Sequence, residues 1–186
     1  MSDTLFESYD DVTGYIAYRA AHWGAQSFTP GITHNITSVI VYAYQTDATS
    51  LNDVIASIRA VDGEGKPTGP DLASKSLTKD FGTSTGVKHE WVFDTFAAGG
   101  KATLTAGIQY ALVKRAPTAP IGKYINIGRR SSSPAYAGGK MIDSTNSGVA
   151  WTVLEQDWSF WEYGIEVTEG GGVMGPAGLL IAHGHI

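Results

Sequence analysis

From Ala25 onward the chain is a succession of short runs rich in β-branched and aromatic residues, each cut off by a turn signal. That rhythm restricts the fold more than any other property. The runs cover residues 25–29, 36–45, 54–61, 72–77, 89–96, 108–116, 123–129, 140–144, 150–154 and 158–167. The breaks carry Thr29-Pro30-Gly31, Asp62-Gly63-Glu64-Gly65-Lys66-Pro67, Ala98-Gly99-Gly100, Ala116-Pro117, Ser133-Pro134 and Asn146-Ser147-Gly148, the residues that preset or tolerate turn conformations. Short strands at regular spacing predict an antiparallel sandwich or barrel. One segment is ambiguous: over 50–60 the apolar residues fall at 51, 54, 55 and 58. That spacing suits a helix as well as a strand, and only the β-branched content and flanking turns favour the strand. The first 20 or so residues are polar and aromatic without clear period, and read as a lead-in strand and loop.

Composition narrows the function classes. The 186 residues suffice for one sandwich-sized domain, with little left for a second. Twenty-three glycines against 17% charged residues suit strands and tight turns. The net charge is −5, and the 13 Lys and Arg are scattered apart from Lys114-Arg115 and Arg129-Arg130. A nucleic-acid partner needs a basic stripe, so none is expected. Without cysteine there is no disulfide framework and no thiolate metal site. No apolar run approaches the ~18 residues of a membrane span, and no membrane insertion is expected. The opening Met-Ser-Asp-Thr-Leu-Phe-Glu lacks the basic and apolar regions of a secretory signal. A protein built for the outside without an export signal fits a virion component made in a host cytoplasm and released by lysis.

After Val167 the character changes. Glu169-Gly170-Gly171-Gly172 is a flexible joint, followed by a small, apolar tail containing Leu179-Leu180-Ile181 and closing on His183-Gly184-His185-Ile186. Residues 1–167 are thus expected to form the sandwich, and 168–186 a glycine-rich joint and apolar arm. A frayed terminus is one reading, but a disordered tail is normally polar. An arm docked on a neighbouring subunit, or a last strand on its own sheet, accounts better for the composition.

Several ordered motifs are familiar. They are Ala25-Gln26-Ser27-Phe28-Thr29-Pro30, Ile36-Thr37-Ser38-Val39, the stretch from Ile58 through Asp62-Gly63-Glu64-Gly65-Lys66-Pro67 to Ala73, Leu104-Thr105-Ala106-Gly107-Ile108-Gln109-Tyr110, Ser133-Pro134-Ala135-Tyr136-Ala137-Gly138-Gly139, and Ser147-Gly148-Val149-Ala150-Trp151-Thr152. In order and spacing the set resembles a jelly-roll, carbohydrate-binding-module-like domain found in phage structural proteins and in bacterial extracellular proteins. The resemblance spans roughly residues 4–166. It implies an antiparallel jelly-roll β-sandwich and a surface-associated setting, and carries no catalytic residue. Residues 62–69 then form a long hairpin connection whose glycines supply positive φ. Gly138-Gly139 allows a close approach or a bulge.

Candidate chemistry is sparse. His22, His34 and His89 have no ligand spacing, while His183 and His185 would share one face of a strand but make only two ligands. Asp10-Asp11 and Asp62-x-Glu64 have calcium-compatible oxygens, yet the second is also ordinary turn composition. No cofactor is assigned, a structural calcium at one of these being the alternative to plain turn composition, and no metal ligand is named. The nucleophile-elbow, zincin, P-loop and dinucleotide motifs are all missing, so no enzyme is expected.

The aromatics carry the sharper idea. Along 39–45, Val39, Val41 and Ala43 share one face while Ile40, Tyr42 and Tyr44 share the other, so both faces are apolar. In the last run Trp158 and Phe160 fall on one face, and Trp161 and Tyr163 near the other. One face must be core. The other is covered by the chain's own N-terminal segment or tail, meets another subunit, or offers a glycan platform; Tyr and Trp serve both kinds of binding surface. Trp23, Trp91 and Trp151 read as core. The interface or ligand-binding candidates are therefore Ile40, Tyr42, Tyr44, Trp161, Tyr163, Leu179, Leu180 and Ile181. The expected function is that of a non-enzymatic phage virion structural protein (a capsid decoration, head-fibre or tail-associated subunit). Its partners would be other virion proteins and itself, with a trimer favoured. The alternative is a glycan-binding adhesion module on a virion or cell surface.

Overall fold

The structure, a computed structural model, describes residues 3–47 and 50–167. Among the described residues the regular elements are all strands, and they form two antiparallel sheets. Sheet 1 holds β1 (Thr4–Tyr9), β2 (Gly14–Tyr18), β4 (His34–Gln45), β7 (Lys88–Val92), β9 (Thr103–Leu104), β11 (Ile125–Arg130), β14 (Asp157–Trp158) and β15 (Phe160–Glu166). Sheet 2 holds β3 (Trp23–Phe28), β5 (Leu51–Val61), β6 (Pro67–Lys79), β8 (Thr95–Phe96), β10 (Tyr110–Arg115), β12 (Met141–Ser144) and β13 (Thr152–Leu154), in the spatial order β13-β12-β3-β10-β5-β6-β8. The chain is an all-β sandwich. Apart from the links β1–β2, β5–β6, β12–β13 and β14–β15, every strand is followed by one in the opposite sheet.

The core lies between the sheets and is made by alternation. Val39, Val41 and Ala43 of β4 point inward with Trp91, Phe160 and Trp158, and meet Phe28, Ile58, Ala73 and Leu112 of sheet 2. Burying each large apolar side chain contributes on the order of 1.5–3 kcal/mol.

The helix-like spacing over 50–60 has a physical origin. Asp53 sits at φ 51°, and the register between β5 and β6 shifts between Leu51 and Val54. The bulge resets the alternation, so Leu51, Val54, Ala56 and Ile58 all reach the core from one strand. Two expectations are corrected. The run over 89–96 is two strands: Phe93 N donates to Thr37 O and Asp94 N to Ser74 O, so the backbone changes sheets between adjacent residues. The connection at 62–69 is tighter than expected. Asp62 Oδ1 accepts from the amides of Glu64 (2.9 Å) and Lys66 (3.0 Å), and β6 resumes at Pro67.

The lead-in segment is two strands, β1 on β15 and β2 on β11, at the margin of sheet 1. It extends that sheet sideways rather than lying across its face. Gly139 makes the close approach expected there: a Cβ at that position would stand 2.0 Å from Ser27 O.

Candidate functional site

The outer face of sheet 1 gathers five of the candidates. Directly paired residues of neighbouring antiparallel strands point to the same side, so register alone sets the rows. One row runs Leu5–Tyr163–Ser38–Val92 across β1, β15, β4 and β7. The next runs Ser8–Trp161–Ile40–Glu90, followed by Tyr42–Lys88 and then by Ala17–Asn126–Tyr44. Ile40, Tyr42, Tyr44, Trp161 and Tyr163 therefore share one surface. Leu179, Leu180 and Ile181 lie outside the described residues.

This face is partly roofed by the chain itself. Trp161 is only 8% exposed: Tyr42 meets it edge-on at 5.4 Å, and Lys88 Nζ stands 3.5 Å above its ring. Lys88 also lies 3.8 Å from Asp10. Tyr15 packs edge-on against Tyr44 at 4.9 Å, and its hydroxyl accepts a hydrogen bond from Gly86 N. Between Val12–Tyr15, Tyr42 and Thr85–Gly86 runs a groove of about 520 Å³. Beyond it the row stays open, with Leu5 45% and Val92 56% exposed.

A second surface, which sequence reasoning missed, lies on the outside of sheet 2. Of the three tryptophans expected in the core only Trp91 is there; Trp23 and Trp151 are half-buried on the outer side. Trp151 rests on Ala25, Ala111, Val113 and Ile142, a small outward apolar patch. Gly148, at φ +80°, is wedged between the two indoles, and a Cβ there would stand 2.8 Å from Trp23. Arg59 and Arg115 lie over the Trp23 ring, 5.8 and 5.2 Å from its centroid. Both bind Asp71: Arg59 Nε donates to Oδ1 at 2.7 Å, and Arg115 is bidentate. Burial works against the Asp71 charge, but the two guanidiniums overcome it and hold the carboxyl below its usual range.

Two clefts open beside this pair, of about 510 and 490 Å³. Both are walled by the β5–β6 hairpin on one side and by the β12–β13 segment on the other. The first is lined by Ser27, Thr29, Glu64, Gln109, Tyr136 and Lys140 among others. The second is lined by Arg59, Asp62, Lys66, Thr68, Gly148 and Trp151 among others.

The remaining titratable groups are mostly spoken for. His22 Nε2 is 2.7 Å from Asp143. His89 Nε2 donates to Phe81 O, and burial together with Lys79 pushes its pKa down. Asp11 receives Arg130, while Asp10 faces Lys88 instead. Asp62 caps its own turn. Among the described residues no three His, Cys, Asp or Glu side chains are placed to hold a metal ion. His183 and His185 lie outside the described residues.

Two buried groups are unusual. His34 and Glu162, both fully buried, pair at 2.8 Å with Phe6 stacked on the imidazole at 3.9 Å. His34 Nδ1 donates to Ile32 O, so the ring carries a proton there and shares a second with Glu162. Burial opposes the imidazolium, but Glu162 lifts the His34 pKa above its ordinary value. Lys114 points from β10 into the core over the Trp91 ring, its amine without a hydrogen-bond partner among the described residues, and burial drives its pKa well down.

No protein-family model matches the chain, and no curated protein matches it.

Proposed function

We propose that the chain is a non-enzymatic assembly protein that acts through the outer face of sheet 1, as a structural subunit of a phage virion. One observation carries this reading: Leu5, Tyr163 and Val92 stand in one register row on an outward face, interrupted only by the buried Ser38 and backed by Trp161 and Ile40. Exposed apolar side chains concentrated on one sheet face mark a surface that meets another molecule. In a homo-oligomer this row would bury against its symmetry mates. The strand-by-strand alternation between sheets agrees with jelly-roll connectivity, which the resemblance implies.

The test is absolute mass by size exclusion with light scattering at micromolar concentration, on the full chain and on a Leu5→Glu/Val92→Lys double variant. Both positions are exposed, so the variant keeps its core. A trimer or larger closed assembly that falls to monomer in the variant supports the proposal. A native monomer, or an assembly indifferent to the two charges, removes self-assembly through this face.

The second reading, a glycan-binding module, draws on a different surface. Its support is the pair of clefts on sheet 2, both lined by hydrogen-bonding side chains and one of them also by the Trp151 indole.

A further inference from the structure

We infer that the cleft on sheet 2 between the β5–β6 hairpin and the loop at Gly148 to Trp151 is a subsite for a carboxylate-bearing sugar residue. This rests on the glycan-binding reading and adds the charge class of the ligand and the residues that read it.

An unused guanidinium fork points to an anion. Two guanidiniums, Arg59 and Arg115, share one carboxylate, Asp71. Arg115 takes both Asp71 oxygens and Ser57 Oγ as well. Arg59 reaches Asp71 through Nε alone, and among the described residues its two Nη amines make no hydrogen bond. A guanidinium fixed by Nε keeps the planar Nη face of its fork free, the geometry that grips a carboxylate through two parallel bonds. Arg59 lines the cleft and is held in place by the Trp23 ring beneath it, so little rotamer freedom is lost on binding. Around the cleft the cations Arg59, Arg115 and Lys66 are matched in number by the carboxylates Asp71, Glu64 and Asp62, so unused donors rather than net charge favour an anion. Lys66 pairs with Glu64 and Asp62 is turned onto the amides of its own loop, which leaves the Arg59 Nη amines as the donors without an acceptor among the described residues.

Trp151 marks the ligand as a ring with an apolar face. It lines the same cleft and packs on the apolar patch of sheet 2, while Gly148 closes on its edge. A rigid indole beside a cation, with the Thr68 hydroxyl nearby, suits a sugar that stacks its C–H face and presents a carboxylate, as uronic and sialic acids do.

The experiment is titration of the full chain by calorimetry and amide chemical shifts, using tetragalacturonate, a hyaluronan tetrasaccharide and sialyllactose. Methyl-esterified tetragalacturonate and lactose serve as neutral counterparts. At least one acidic saccharide should bind, with shifts at Arg59, Thr68 and Trp151 and about tenfold or more preference over its neutral counterpart. Affinity should weaken with salt. Arg59→Gln and Arg59→Lys should each lose about tenfold or more, Lys because it keeps the charge but not the fork. Asp71 retains Arg115 in both, so the sheet stays folded, and Trp151→Ala gives an independent loss. Equal binding of acidic and neutral saccharides would leave the glycan reading standing and sink this inference. No binding of any probe up to about 10 mM, a free energy below about 3 kcal/mol, sinks both.

Discussion

On sheet 1 aromatic residues of adjacent strands stand in aligned outward rows with polar residues between them, while on sheet 2 the outward residues are a small aliphatic patch overlaid by two arginines, an aspartate and two indoles. Trp161 is nearly closed over by Tyr42 and Lys88, whereas Trp151 stands at the wall of an open cleft. The first face spreads its aromatic rings over several strands, which suits a broad protein contact. The second offers fixed donors beside an aromatic plate, which suits a small ligand. The same alternation of strands supports both; the loops decide the difference.

Four substitutions or conditions would break or sharpen that contrast. The largest effect should come from Trp161→Ala. Its near-complete burial puts the cost at about 3–5 kcal/mol, as for a core aromatic, while half-buried Trp151→Ala should cost clearly less; urea denaturation of both variants checks this. Asp71→Asn comes next. Two half-buried guanidiniums lose their shared carboxylate, and stability should fall by about 2 kcal/mol without altering oligomer mass. Lys114→Met acts between the faces: removing a buried amine with no partner should raise stability by on the order of 1 kcal/mol at neutral pH. Because the folded Lys114 pKa is depressed, the unfolded chain binds the extra proton. That gain should therefore shrink toward alkaline pH.

The smallest effect is a difference in pH response. His34 has a raised pKa in the folded state, so its contribution is complete below the ordinary imidazole value of about 6.5 and is lost as pH rises through the folded value. Asp71 has a lowered pKa, so its contribution is complete above the ordinary value of about 3.9 and is lost as pH falls through the folded one. Hydrogen exchange should thus show β15 of sheet 1 loosening on the alkaline side and β5–β6 of sheet 2 on the acid side. Parallel loss of protection in both sheets would contradict this division.

What could be seen in advance follows from how local each signal was. The strands of the interior were legible because turn residues bracket them and because β4 and β15 alternate cleanly: Val39 and Val41 against Ile40 and Tyr42, Phe160 against Trp161. The margin strands β1 and β2 were not, since edge strands are half-buried on both sides and carry no strong period. The bulge at Asp53 gives the strand over 50–60 a helix-like spacing, so only its β-branched content and flanking turns mark it as a strand. The sheet 1 candidates needed only a period of two. The sheet 2 cleft was invisible because Arg59, Asp71, Arg115 and Trp151 come from four separate strands and loops, and only pairing of β5 with both β6 and β10 brings them together. Residue type alone places Trp23 and Trp151 in the core, and it does not say which side of a sheet a side chain takes.

The pairing of β1 with β15 joins almost the first described residue to almost the last, Thr4 opposite Gly164. On a ribosome β1 emerges long before its partner exists. It must wait as an unpaired strand with Leu5 and Phe6 uncovered, and the outer row of sheet 1 is completed only once β15 has been made. Such non-local closure is slow and exposes strand edges meanwhile. The surface proposed to recognise other subunits therefore stays incomplete until β15 has paired with β1.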